Sequence, residues 1–259
     1  MKSLKTVKKN NIEFYQFPML AERNSIEHGI FPRKYTGGRS LNVSLDPKNK
    51  RGPAEENQRV IAGCFGRNRL VFVNQVHGTK VVTLEKGIKE TELTDYDEPL
   101  IGDAIITNIA GKPLAIQTGD CQAIIMYDPA EKVIANVHSG WRGSVGNIVA
   151  ITIKKMAEKF DCKPWNILTG IGPSLGQCCA EFVNYKTELP ETFRKYKNDK
   201  DCFDFWSITR AQLLSSGVLD HHIAFSNICT SCCSDRFFSY RKEHGSERFA
   251  SVISLKQTD

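Results

Sequence analysis

The sequence predicts a mixed α and β fold built of packed sheet layers, on three observations. Short alternating or uniformly apolar runs recur along all 259 residues, as at Ile12–Phe17, Leu114–Thr118, Ala123–Tyr127 and Phe249–Leu255. Each has the length and β-branched content of a strand. Only three or four segments carry a helical period, and no internal repeat or low-complexity tract divides the chain. Many strands with few helices imply sheets that bury a face on one another, with helices covering the rest. Residues 1–10 are expected to be a mobile lead and 11–259 a single domain.

The elements follow in order. Glu27–Arg33 reads as a second strand ended by Pro32, then come a Gly-containing loop to Arg39 and the Ser40–Val43 segment. Asp46–Pro53 is polar and reads as an exposed loop, and Ala54–Cys64 as a helix. Leu70–Val76 is β-rich and leads into His77; Val81–Leu84 is the next strand. Glu85–Leu100 is charged and reads as a surface loop. Asp103–Thr107 is a short strand before Gly111, and Leu114–Thr118 and Ala123–Tyr127 flank Gly119-Asp120-Cys121. Val133–Val137 is a strand that ends at His138, a Gly-rich turn spans Ser139–Gly143, and one amphipathic helix runs on to Phe160. Its stripe is Val145, Ile148, Val149, Thr152, Met156 and Phe160. Trp165–Gly170 and Ile223–Cys229 read as strands, and Pro190–Asp201 as a polar peripheral stretch. Between them, Phe205–Ser216 reads as a helix with Asp204 as N-cap and Gly217 as its stop.

Composition excludes several classes of function. Apolar content of 41 % and charged content of 25 % are those of a soluble globular protein. The net charge of +6 is spread thinly apart from Lys2, Lys5, Lys8 and Lys9. That cluster reads as a solvated tail; no aromatic or Arg-rich groove pattern accompanies it, so no nucleic-acid partner is expected. A phosphate-bearing small substrate suits this charge. No run approaches the ~18 apolar residues of a membrane span. No apolar signal segment follows the basic start, so a cytoplasmic location and no membrane partner are expected. Nine cysteines cannot all pair within one chain. In a reducing compartment they are thiols or metal ligands.

Three reactive residues stand at predicted strand ends: His77 in N-Q-V-H-G, Cys121 in T-G-D-C and His138 in V-H-S-G-W-R-G. Two imidazoles and a thiolate suit a catalytic zinc whose fourth position stays open. The separations are not those of a local zinc finger, so the fold must bring the three together. The same residues suit a second chemistry, a Cys121 thiolate with His138 as base. Cys229 to Cys233 (C-T-S-C-C) holds a C-x-x-C without a second copy, and Cys178-Cys179 are adjacent. Neighbouring side chains in an extended segment point apart, so these thiols are expected to be free ones near a substrate pocket.

Six motifs, N-Q-V-H-G, D-A-I-I-T-x-x-x-G-x-P-L-A-I-x-T-G-D-C, V-H-S-G-W-R-G, I-G-P-S-L-G-Q-C-C, N-I-C-T and F-F-S-Y-R-K, run in order between His28 and Ile253. Together they resemble the multicopper polyphenol oxidase (laccase-domain) family, also described as a purine nucleoside phosphorylase family. The resemblance implies an α+β fold, a layered α/β/β/α sandwich with mixed sheets; a monomer or homodimer is expected. It implies one zinc on His77, Cys121 and His138, and phosphorolysis of adenosine, inosine, guanosine or 5′-methylthioadenosine, with adenosine deamination. A bacterial branch implies a different role, peptidoglycan editing by an amide hydrolase. The older family name implies copper-dependent phenol oxidation. Copper is disfavoured, since six histidines without an H-x-H motif cannot build a multicopper centre, although copper can enter a His₂Cys site.

Within that reading, Asp120 is the nearest acid–base group and Arg142 the candidate phosphate contact, set at a helix opening. Gln75 and Asn42 are candidate contacts to sugar or base, and Arg241 is a second candidate anion contact. The chain departs from the family pattern at Gly119 and Ser139, where alanine is usual. Ala180 stands where an aromatic is common, which bears on substrate preference, and Lys242 stands where arginine is frequent.

Overall fold

A computed structural model describes residues 4–44, 46, 51–85 and 100–257. The expected surface loop at Glu85–Leu100 falls, from 86 to 99, outside the described residues.

Two sheets lie face to face. The first is antiparallel throughout, in the order β1-β2-β3-β11-β6: β1 is Lys5–Lys9, β2 Ile12–Gln16, β3 Ile26–Phe31, β6 Leu114–Thr118 and β11 Phe249–Leu255. The second is mixed, in the order β10-β9-β7-β8-β5-β4: β4 is Val81–Leu84, β5 Ala104–Thr107, β7 Gln122–Asp128, β8 Val133–Ser139, β9 Leu168–Ile171 and β10 Ile223–Phe225. Its parallel pairs are β4–β5 and β10–β9.

Alternation along each strand makes the layers. Ile30, Ile116 and Ile253 from the first sheet meet Ile105, Ile125, Tyr127 and Ile134 from the second in one buried core. The opposite face of the first sheet (Phe14, Phe31, Ala115, Val252) packs on Ile61 and Ala62 of α2, Arg51–Gly63. The opposite face of the second (Ile106, Ile124, Met126, Ala135, Val137) packs on Ile148, Val149, Ile153 and Met156 of α4, Ile148–Phe160. Leu213 of α6, Phe205–Ser215, joins that layer, while α1, Pro18–Ala21, and α5, Tyr185–Glu188, are four-residue helices. The result is α/β/β/α, with one mixed sheet and one purely antiparallel. Asn136 ties the sheets: from β8 its Nδ2 donates to Leu114 O at 3.0 Å and Ser251 O at 2.8 Å, both in the other sheet.

Several expectations need correction. Lys5–Lys9, expected in a mobile lead, pair with β2 over five residues because Val7 packs against the α2 layer. Among the described residues Leu70–Val76 makes isolated bridges, Val71 to Leu114 and Asn74 to Ile101, and no ladder. The Ile223–Cys229 strand stops at Phe225. The helix expected over Val145–Phe160 is two helices: α3 is Trp141–Val145, and α4 begins after Asn147. Asn147 sits at φ 53° and its Oδ1 accepts the Ala150 N–H, so it caps α4 and breaks the run. Val145, read as core, is therefore exposed. Asp204 caps α6 through Ser207 N, and Gly217 follows at φ 92°, where a side chain would be strained. The described residues include no helix long and apolar enough to cross a membrane.

Candidate active site

The site lies at one end of the second sheet, where β7 begins and β8 ends. On β8, Ile134 faces the inter-sheet core. Period two then puts Asn136 and His138 on that face. His138 is the last inward position before Gly140. Cys121 immediately precedes β7, whose residue Ala123 pairs with His138. His77 comes from the irregular segment before β4, in a left-handed conformation at φ 60°. Asp120 is left-handed too, at φ 90°. Non-glycine residues held in that region are concentrated at functional sites.

The side chains of His77, Cys121 and His138 converge. Their ligand atoms all lie within 4.8 Å of one another. The two imidazole rings meet edge to face, with centroids 4.8 Å apart. Gly140 makes this possible: a Cβ there would stand 3.1 Å from Cys121 Sγ and 3.1 Å from His77 Cδ2. The cluster runs from buried His138 through half-buried Cys121 to exposed His77, so it opens outward. One thiolate and two imidazoles around an open side fit a three-ligand zinc site with its fourth position free.

Asp103 was expected only as the start of a strand, yet it organises the cluster. Its Oδ1 lies 2.8 Å from His138 Nδ1 and accepts His77 N–H at 2.9 Å, and its Oδ2 accepts Gly78 N–H at 2.7 Å. His138 N–H also donates to Asp103 O at 2.7 Å. Burial alone would raise the Asp103 pKa, but the bonds from His138, Gly78 and His77 outweigh it and lower the pKa. With Nδ1 held by the Asp103 carboxylate, His138 Nε2 is left to face Cys121, as in metal-ligating histidines whose other ring nitrogen bonds a carboxylate. In the metal-free cluster, burial disfavours both the Cys121 thiolate and the His138 imidazolium. Their mutual attraction, together with His77 beside Cys121 and Asp103 beside His138, outweighs it, lowering the thiol and raising the imidazole. The one sequence hint at Asp103 was a carboxylate set directly against the apolar run A-I-I-T; the fold buries it completely, and a buried charge needs partners.

A cavity of about 990 Å³ opens onto the cluster. Arg142, Arg241 and Arg248 line it, together with Phe72, Trp141, Phe182 and Tyr240. Arg241 Nη2 donates to Glu181 O at 3.0 Å, and Arg248 Nη1 to Glu247 O at 2.7 Å. The Arg142 guanidinium lies over Trp141, its Cζ 4.1 Å from the ring centre. Since α3 is a five-residue helix, its dipole adds little, and any attraction for an anion rests on the guanidinium.

The other expected contacts divide. Gln75 lines the cavity, but its amide is spent on β6: Nε2 donates to Gln117 O at 2.9 Å and Oε1 accepts Gln117 N–H at 3.0 Å. Asn42 does not line the cavity, contrary to expectation. Its Oδ1 accepts Ser44 N–H at 3.0 Å and Arg248 N–H at 2.9 Å, bracing a loop against β11. Asp120 lines the cavity with both carboxylate oxygens already engaged, by Thr230 Oγ1 at 2.6 Å and Arg241 N at 2.6 Å. That is a bracing role for the Cys121 loop. Ala180 is fully buried among Phe193, Phe203 and Phe205, where a ring would crowd the cavity wall.

A family model described as multi-copper polyphenol oxidoreductase laccase matches residues 26–256. The chain belongs to this family. Among the described residues, only His77 and His138 of the histidines fall in a group able to hold a metal, too few imidazoles for a multicopper cluster. A family relative named purine nucleoside phosphorylase YlmD, from Geobacillus stearothermophilus, is 30 % identical over 218 residues, 80 % of each chain. Another, named adenosine deaminase RL5, from an unknown prokaryotic organism, is 29 % identical over 186 residues, 67 % of this chain and 70 % of that one. The crystal structure of YlmD from G. stearothermophilus superposes with a TM-score of 0.83 at 24 % identity, covering 97 % of this chain and 99 % of that one. The shared α+β fold is thus that of the whole chain.

Proposed function

We propose that this chain is a zinc-dependent purine nucleoside phosphorylase with adenosine deaminase activity. The observation that carries the reading is the position of the His77/Cys121/His138 cluster on the floor of a cavity walled by aromatic rings and arginines. The names of its relatives support the same reading. Phe182 and Tyr240 offer faces for a purine, which stacks on aromatic rings. Arg142 offers a planar fork for phosphate. His77, Cys121 and His138 would hold the metal, which when bound polarises an oxygen and lowers the pKa of water. Asp103 keeps His138 turned toward that position and Gly140 leaves room for it. The buried face of the cluster excludes bulk water from one side, which strengthens charge interactions there.

One observation favours a second reading. Cys121 lies against His138, and their attraction lowers the thiol and raises the imidazole, toward the thiolate–imidazolium pair of cysteine hydrolases. That supports an amide hydrolase, the chemistry cell-wall editing requires.

The deciding experiment incubates the purified protein with adenosine, with and without phosphate, and identifies products by mass spectrometry. Zinc is quantified on the same sample. Adenine and ribose 1-phosphate, formed only with phosphate, are expected. Inosine alone would leave deamination and remove phosphorolysis. Unchanged adenosine with zinc-loaded protein would overturn the nucleoside reading in favour of the hydrolase.

A further inference from the structure

A second group of metal-capable side chains stands apart from the cluster above: Cys178, Cys179, Cys229 and Cys232, whose four sulfurs all lie within 4.8 Å of one another. Adjacent cysteines diverge in an extended segment, but this segment is a turn. Cys179 N–H and Ala180 N–H both donate to Gly176 O, at 3.0 and 3.1 Å. The coiled backbone turns both thiols to one side. Across from them Cys233 N–H donates to Cys229 O at 3.0 Å, a helical turn that puts Cys229 and Cys232 on a common face.

Two further features hold the turns together. Ser174 and Cys229 form a parallel bridge, with Ser174 N–H on Ile228 O at 3.2 Å and Thr230 N–H on Ser174 O at 3.1 Å. At Gly176 a Cβ would stand 3.1 Å from Cys229 Cβ and 3.4 Å from Cys178 Sγ. The glycine therefore permits the approach that brings the sulfurs into range.

We propose that Cys178, Cys179, Cys229 and Cys232 bind a structural zinc ion, separate from the His77/Cys121/His138 centre, that clamps the two turns. Four thiolates are a closed tetrahedral zinc set, and Zn–S bonds of about 2.3 Å place the sulfurs about 3.8 Å apart. Cys178 and Cys179 sulfurs lie 3.5 and 3.6 Å from that of Cys232, near that edge length. An iron–sulfur cluster inserts a larger inorganic core and spreads its thiolates wider than this group. Cys178 and Cys232 are exposed and Cys229 is buried, so the set is reachable from solvent yet anchored in the fold.

The clamp would steady the nucleoside cavity. Leu175 N–H donates to Asp120 O at 2.8 Å, and Thr230 Oγ1 donates to Asp120 Oδ1. Leu175 is three residues before Cys178, and Thr230 follows Cys229. Each turn thus holds the loop that carries Cys121. Glu181 and Phe182 of the cavity wall follow directly on the first turn.

The test counts metal on the full-length chain. Elemental analysis should find two zinc ions per chain, falling to one in Cys121→Ala and to one in Cys178→Ser/Cys232→Ser. Should the double variant fail to fold, cobalt loaded into Cys121→Ala reads the same site. Intense thiolate-to-cobalt charge-transfer bands of a tetrahedral four-sulfur site are expected. A single zinc per chain that vanishes in Cys121→Ala would overturn the proposal. So would a Cys178–Cys232 or Cys179–Cys232 disulfide in freshly purified protein, or iron in place of zinc. None of these readouts depends on nucleoside turnover, so the clamp and the phosphorylase reading fail separately.

Discussion

Asp103 and His138 are joined twice, through the His138 N–H to Asp103 O and through Asp103 Oδ1 to His138 Nδ1 at 2.8 Å. The same carboxylate accepts the backbone N–H groups of His77 and Gly78. One buried side chain therefore fixes the orientation of one imidazole and the left-handed turn that presents the other.

Replacing that carboxylate should separate geometry from folding. Asp103→Asn keeps the size of the side chain but loses its charge and its match to the two N–H groups and Nδ1. Zinc affinity should fall roughly 10- to 100-fold, with a parallel loss of nucleoside turnover. Competition titration against a chelator measures the first and steady-state kinetics the second. Unchanged zinc affinity would remove Asp103 from the orienting role.

The ligands themselves give a sharper outcome. His138→Ala should lose the central zinc and all measurable nucleoside turnover, while the far-ultraviolet circular dichroism stays that of the wild type. Turnover retained without central zinc would reject the metal-dependent mechanism.

Arg142 should act on phosphate and leave zinc alone. Arg142→Ala is expected to raise the phosphate KM about ten- to a hundredfold, the usual loss for one charged hydrogen-bonding group. Arg142→Lys should recover part of it, since the charge remains and the planar fork does not. Equal phosphate KM in all three proteins would place the anion elsewhere in the cavity.

Stability should depend on pH through His28, away from the site. Burial in β3 lowers its pKa from 6.5 to about 3, and its Nε2 accepts Phe17 N–H at 2.9 Å, which requires the neutral ring. Below pH 6.5 the unfolded chain takes up a proton that the folded chain refuses. Stability is therefore intact above 6.5, falls as pH drops and has lost this whole contribution near pH 3. Between pH 7.5 and 5 this group alone should remove about 2 kcal/mol. Urea unfolding at pH 7.5 and 5 should show that loss in the wild type and a flatter dependence in His28→Gln. Parallel pH dependences would assign the acid sensitivity to other groups.

The contact between the sheets is open to the same measurement. Asn136→Ala removes two buried hydrogen bonds to the opposite sheet and leaves a small cavity, at a cost of about 2–3 kcal/mol. A change below 0.5 kcal/mol would show that apolar packing alone joins the layers.

The sequence by itself determined what depends on neighbours along the chain. Period two marked β2, short apolar runs marked β6, β7, β8 and β11, and the Asp204 cap and Gly217 stop marked α6, because these signals act within a few residues. His77, Cys121 and His138 were legible because each stands where an apolar run ends. One local signal passed unread, the Asn147 cap that cuts the helical stripe and leaves Val145 exposed. Only the tertiary structure decided what depends on segments remote in sequence. Asn42 and Gln75 carried amides suited to a ligand, yet folding committed them to the backbone of Arg248 and Gln117. Asp103 read as a strand start, because a carboxylate's partners cannot be known until a strand pairing delivers them. Cys178 and Cys179 read as divergent neighbours until the turn at Gly176 coiled them together and the bridge at Ser174 brought Cys229 alongside. Residue type and local period fix which groups are available, and the close packing of distant segments fixes which of them meet.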